Sequence, residues 1–124
     1  MAKVLIVDGF WEVREVLVTL FDRYLKDDHQ VVTTDTGEKA KELLLEDSPP
    51  FDLVMTGNKL SGIKGTELIA WIAENLPNVP TILMSALGEP RGHQADFFLP
   101  KPFEAKLLEE AVNALLISQP QKAT

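Results

Sequence analysis

Apolar positions along this chain come in two textures, short unbroken runs and longer stretches with a helical stripe. Lys3 to Asp8 reads KVLIVD, an apolar run ended by an acid. Its shortness and Val/Ile content predict a strand buried on both faces. After Gly9, apolar residues recur at Phe10, Val13, Val16, Leu17, Leu20, Phe21 and Tyr24, the stripe of an amphipathic helix ending near Lys26. Gln30 to Thr34 (QVVTT) predicts a second strand. Thr36-Gly37-Glu38 then opens a second helix, with Ala40, Leu43 and Leu44 inward and Pro49-Pro50 as its stop.

The alternation continues. Asp52 to Thr56 (DLVMT) predicts a third buried strand, and Gly57 to Gly62 (GNKLSG) a polar loop. Leu68, Ile69, Ile72, Ala73 and Leu76 mark a third helix, ended by Pro77 and Pro80. Thr81 to Met84 (TILM) is the fourth strand. Leu87 to Gln94 (LGEPRGHQ) has room for a short or broken helix at most, because it holds two Gly and one Pro. Asp96 to Leu99 (DFFL) is the fifth strand. Pro102-Phe103 starts a last helix with Leu107, Leu108, Ala111, Val112, Leu115 and Leu116 apolar, and Ser118 to Thr124 reads as a frayed tail.

Five buried strands alternating with helices imply right-handed crossovers, hence a doubly wound α/β domain over residues 1–117: a five-stranded parallel sheet with helices on both faces. Ligands of such folds sit outside the carboxyl ends of the strands. Asp8-Gly9, Thr56-Gly57, Ser85-Ala86 and Pro100-Lys101 stand at those ends. The pattern leaves open which strands are neighbours.

Composition narrows the function classes. With 124 residues, 45% of them hydrophobic, the chain suits one domain and no more. The absence of Cys excludes disulfide scaffolds, thiol nucleophiles and cysteine-ligated metals. A net charge of −7 argues against nucleic acid and anionic lipid as partners. The N-terminal apolar run is too short for a signal sequence or a membrane span, so a cytoplasmic protein is expected.

Asp8 after the first strand, Ser85 after the fourth and Lys101 after the fifth make up the polar set on the functional edge. With the segments LIVDG, FDLVMTGNKLSGIKG, TILMSA and ADFFLPKPF in that order, the chain resembles the response-regulator receiver domain of two-component signalling over roughly residues 2–117. The resemblance implies a flavodoxin-like fold, from which this chain departs by a shortened fourth helix. It also implies a site where two adjacent acids and a third-strand Asp hold magnesium. That Asp takes a phosphoryl group from a histidine kinase, while a hydroxyl and a lysine bind the phosphoryl oxygens. Asp8 matches the first acid, Ser85 the hydroxyl, Lys101 the lysine and Phe98 the aromatic that reorients on activation. A cis bond between Lys101 and Pro102 is implied as well.

The departures carry more information. Gly9 stands at the position of the second acid and Gly57 at that of the phosphorylated Asp; Lys64 and Ser61 replace a usual acid and proline. Glycine supplies no carboxylate nucleophile, so phosphorylation there is not expected. Magnesium prefers oxygen ligands in an octahedron, so with Asp8 alone its binding is expected to be lost or very weak. Lys101 should pair permanently with Asp8. Asp52 lies at the far end of its strand, roughly 16 Å away at the usual rise, and cannot substitute. From Ser85 to Lys101 is 101 − 85 = 16 positions, several fewer than the family usually has, and this curtails the surface it uses for output.

The resulting expectation is a degenerate, stand-alone pseudo-receiver without enzymatic activity or cofactor. It would act by contact with a signalling protein, such as a histidine kinase or another regulator. Phe10 and Trp11, beside the vestigial pocket of Asp8, Gly9, Gly57, Ser85 and Lys101, are candidate interface residues; the plainer reading packs Trp11 over the cavity left by the missing side chains. His29 and His93 read as surface residues. Two alternatives stand beside this reading: a small-anion sensor or enzyme reusing the pocket, and a regulator phosphorylated on an unconventional acceptor. The sequence carries no signal for an oligomeric state.

Overall fold

The computed structural model describes residues 2–25, 29–46 and 50–117. Five strands, β1 (Ala2–Val7), β2 (His29–Thr34), β3 (Leu53–Gly57), β4 (Thr81–Ser85) and β5 (Phe97–Pro100), form one sheet. Every pairing is parallel and the order is β2-β1-β3-β4-β5. The helices are α1 (Trp11–Leu25), α2 (Gly37–Glu46), α3 (Gly65–Asn75) and α4 (Ala105–Val112). Strand order reverses between β1 and β3, which opens the crevice where ligands of such sheets bind.

Alternation along each central strand feeds two cores. Val4, Ile6, Met55, Ile82 and Met84 face Leu17 and Phe21 of α1 and Leu108 and Ala111 of α4. Leu5, Val7 and Val54 face Ala40 of α2 and Leu68 and Ile72 of α3. The doubly wound architecture is therefore as the pattern predicts. Each large side chain buried here contributes about 1.5–3 kcal/mol relative to exposure.

Three details differ from the sequence reading. Only β1, β3 and β4 are buried almost throughout, whereas β2 and β5 are half-exposed, because the strand order puts these two at the sheet edges. No helix at all forms between β4 and β5. That connection turns instead at Gly88 (φ +98°) and Gly92 (φ +69°), a backbone conformation costly for other residues, so the shortened helix is reduced to turns. The last helix starts at Ala105 rather than Pro102-Phe103 and passes into a π-helical turn at Asn113–Ile117; Phe103 packs onto the α1–α4 core from the preceding loop. The predicted tail, Ser118 to Thr124, and the predicted stop at Pro49 lie outside the described residues.

Candidate functional site

The sheet's register gathers the polar set. Val7 pairs with Thr56, Gly57 with Met84 and Ser85 with Pro100, so the residues ending or following four strands lie side by side. Two loop bonds extend the alignment: Asn58 N–H donates to Met84 O (3.0 Å) and Lys101 N–H to Ser85 O (2.9 Å). The Lys101–Pro102 peptide bond is cis.

Asp8 is 1% exposed and its carboxylate is fully engaged. Oδ1 accepts from the Phe10 N–H (3.0 Å) and Oδ2 from the Lys101 ammonium (2.8 Å). Arg14 Nη1 donates to the Asp8 carbonyl (2.6 Å), which ties the strand end to α1. The expected Asp8–Lys101 pair is thus present.

Gly57 lies directly beneath this pair. A β-carbon built on it would be 2.5 Å from Asp8 Oδ2 and 3.5 Å from Lys101 Nζ. The Asp8 carboxylate occupies part of the volume a side chain there would need. A β-carbon on Gly9 meets nothing closer than the Lys59 carbonyl at 3.7 Å, so that position is open. Thr56 is buried and its hydroxyl donates to the Gly57 carbonyl (2.8 Å). Asp52 is held at the opposite end of β3, where its carboxylate accepts from the Lys3 N–H (2.8 Å). Among the described residues no group of three His, Cys, Asp or Glu is arranged to hold a metal ion. The donor set at this edge therefore does not fit magnesium: one carboxylate, both of its oxygens already bonded, beside an ammonium.

The loop after β3 is fixed from both sides. Asn58 accepts from the Gly65 N–H through its carbonyl (2.9 Å) and from the Thr66 N–H through its side chain (3.0 Å), which caps α3. The Glu38 carboxylate of α2 accepts from the Ile63 N–H (3.1 Å), and Thr36 bridges Ser61. Gly65 approaches so closely that a β-carbon there would overlap the Gly57 carbonyl oxygen. These loop supports were not read from the sequence. Glu38 sits on another helix, and a spacing pattern cannot show that it reaches the loop.

The aromatic residues divide. Phe10 (55% exposed) lies beside the pair, with Lys101 Nζ 5.8 Å from its ring centre. Trp11 (58% exposed) lines a groove with Arg14, Val18 and Thr33 between α1 and β2 and is not among the residues lining the pocket beside the pair. Phe98 is half-buried and its ring centre is 6.0 Å from that of His93. The two histidines are more enclosed than the sequence implied. The side chains of His29 and His93 are 10% and 11% exposed, and each Nε2 lies 2.6 Å from a carboxylate, of Asp22 and Glu89. Packing against neighbouring elements, invisible in sequence, encloses both rings.

The fold and this edge define a doubly wound α/β domain with an acid–lysine pair at its switch point. The sequence profile of the response regulator receiver domain matches residues 4–113. FleR, a response regulator protein of Pseudomonas aeruginosa, is 33% identical over 117 residues, covering 90% of this chain and 24% of FleR. The two-component response regulator-like APRR9 of Arabidopsis thaliana is 31% identical over 86 residues, 68% of this chain and 18% of that protein. The chain belongs to the response regulator receiver domain family of two-component signalling.

Solved structures agree on the fold. The receiver domain of a histidine kinase from Syntrophus aciditrophicus superposes with a TM-score of 0.83 at 23% identity, covering all of this chain and 98% of that one. TrrA of Thermotoga maritima, a response regulator solved with magnesium and beryllofluoride, has a TM-score of 0.79 at 27% identity over 94% of this chain and all of its own. The chain spans about a quarter of the length of FleR. No helix among the described residues is long and apolar enough to cross a membrane.

Proposed function

We propose that this receiver domain works in two-component signalling by contact alone, as a pseudo-receiver that takes up no phosphoryl group. One observation carries the reading. The volume above Gly57, where a phosphate-accepting side chain would project, is filled by the Asp8 carboxylate under Lys101. An acyl phosphate needs a carboxylate nucleophile in line with the donor, and Gly57 has none. Asp8 would have to break two hydrogen bonds, to Phe10 and Lys101, to attack in its place.

Magnesium binding is then lost or very weak, no enzymatic step follows, and the pocket of Asp8, Gly9, Gly57, Ser85 and Lys101 is vestigial. The Asp8–Lys101 pair takes over the role of relieving charge at the edge and holds one conformation. Phe98 in this reading no longer reports on phosphorylation. The partner is a signalling protein such as a histidine kinase or another regulator, met in the cytoplasm. Phe10 and Trp11, both more than half exposed on the α1 side, support a contact there. The helix-free connection between β4 and β5 supports a contact surface away from that edge.

The test is intact mass after incubation with acetyl phosphate and magnesium. An unchanged mass is expected. The gain of one phosphoryl group, mapped to any residue at this edge, overturns the proposal.

A further inference from the structure

Beside the Asp8–Lys101 pair lies a pocket of about 380 Å³, within the range of small-molecule sites. Its polar lining residues are Asn58, Lys59, Ser85 and Lys101; among the described lining residues two are cations and none is an acid. The rest of its wall is apolar, with Phe10, Val13, Met84 and Leu87 prominent. Phe10 is 55% and Leu87 88% exposed, so both rims have apolar surface still to bury. The apolar wall continues past the stem of Lys101 into a depression of about 500 Å³ that reaches Val16 and Phe103.

The donors at the floor are only partly used. An ammonium has three protons, and Lys101 gives one to Asp8 Oδ2. The Ser85 hydroxyl accepts from the Leu87 N–H (3.1 Å), which leaves its own proton to donate. Two donors of this kind match the two oxygens of a carboxylate, and the ligand's charge would meet Lys101 and Lys59. The apolar walls have no use for a bare inorganic anion. They match a ligand whose charge is attached to a hydrocarbon body.

We infer that this pocket binds a small amphipathic carboxylate, with its carboxylate on Lys101 and Ser85 and its aryl or medium-chain alkyl body between Phe10 and Leu87. Gly57 favours this occupancy: with no side chain there, Asp8 lies over the strand end and takes up one donor of Lys101, leaving two. The inference does not require the absence of phosphorylation, since it concerns a free ligand and is read by direct binding.

The probe is octanoate, titrated into the full chain by calorimetry and by amide chemical shifts. Saturable binding with a dissociation constant of about 1 mM or tighter is expected, with shifts centred on Phe10, Ser85 and Leu87. Acetate, inorganic phosphate, octanol and octylammonium should each bind at least about tenfold more weakly, because each lacks the body, the charge or its sign. Lys101→Met should weaken octanoate about tenfold or more. Since that variant also releases Asp8, Leu87→Ser serves as a second, on a side chain too exposed to support the fold; it should weaken octanoate with unchanged melting of the free protein. Octanol binding as well as octanoate, phosphate binding as well as octanoate, indifference to Leu87→Ser, or no saturation in the millimolar range each overturns the inference.

Discussion

Asp8 and Gly57 occupy one volume between them. The carboxylate oxygen that accepts the Lys101 hydrogen bond stands 2.5 Å from where a β-carbon on Gly57 would be. The acid at the end of β1 has thus settled onto the bare backbone at the end of β3. This single arrangement links the loss of a side chain to the pairing of two charges.

Lys101→Met leaves Asp8 as an unpaired carboxylate at 1% exposure. Breaking a buried pair costs about 3–5 kcal/mol; the Lys101 side chain is 18% exposed, so solvent lowers the expected loss to about 2–3 kcal/mol. Urea unfolding measures it. Asp8→Asn added to Lys101→Met should recover part of the loss, and a double-mutant cycle without coupling would show the two charges to be independent.

Gly57→Asp forces a second carboxylate onto Asp8, so stability should fall by about 1–3 kcal/mol in the absence of metal. Gly9→Asp is sterically accommodated, its β-carbon meeting nothing nearer than 3.7 Å. The double variant, unlike the natural chain, should gain melting temperature on addition of magnesium, since a bound ion stabilises the folded state by mass action. Melting curves that ignore magnesium in the double variant would show that the remaining scaffold no longer shapes a metal site.

Gly65→Ala should cost at least about 2 kcal/mol, because the new methyl overlaps the Gly57 carbonyl and crowds the Asn58 backbone, neither of which is a flexible side-chain end. Amide exchange should show the first turn of α3 loosened, since the Asn58 cap depends on that approach. An alanine variant as stable as the natural chain contradicts the close packing.

Tyr24 ties the end of α1 to the start of α4, its hydroxyl donating to the Ala105 carbonyl (2.8 Å). Burial, with the nearby Glu109 charge adding to it, holds this phenol above its ordinary value of 10.0. The folded state therefore keeps the proton longer than the unfolded chain. The contribution is full below the unfolded value and is lost as pH rises through the raised folded one. Compared with Tyr24→Phe, the natural chain should hold a constant stability advantage at neutral pH and lose it above about pH 10. An advantage that persists unchanged in strong alkali would place the hydroxyl outside the packed contact.

Local pattern was enough for the element sequence and the doubly wound class, because period-2 and period-3.6 burial are properties of the backbone itself. It also placed Asp8, Ser85 and Lys101 at strand ends, since each follows an apolar run that only a strand satisfies. Local pattern limited the β4–β5 connection to a short helix at most through its two Gly and one Pro, but it had no hold on the edge position of β2 and β5 or on Glu38 reaching from α2 to the loop before α3. Each of these depends on which elements become neighbours.

Gly57 is written in the chain, and with it the absence of a nucleophile; what fills the space it leaves is not. That was decided by the tertiary structure, where parallel register brings β1, β3 and β5 to one edge and residues 93 positions apart, Asp8 and Lys101, come within hydrogen-bond distance. A sequence specifies the groups it lacks directly, but the contacts that compensate for them arise only when distant strands pack.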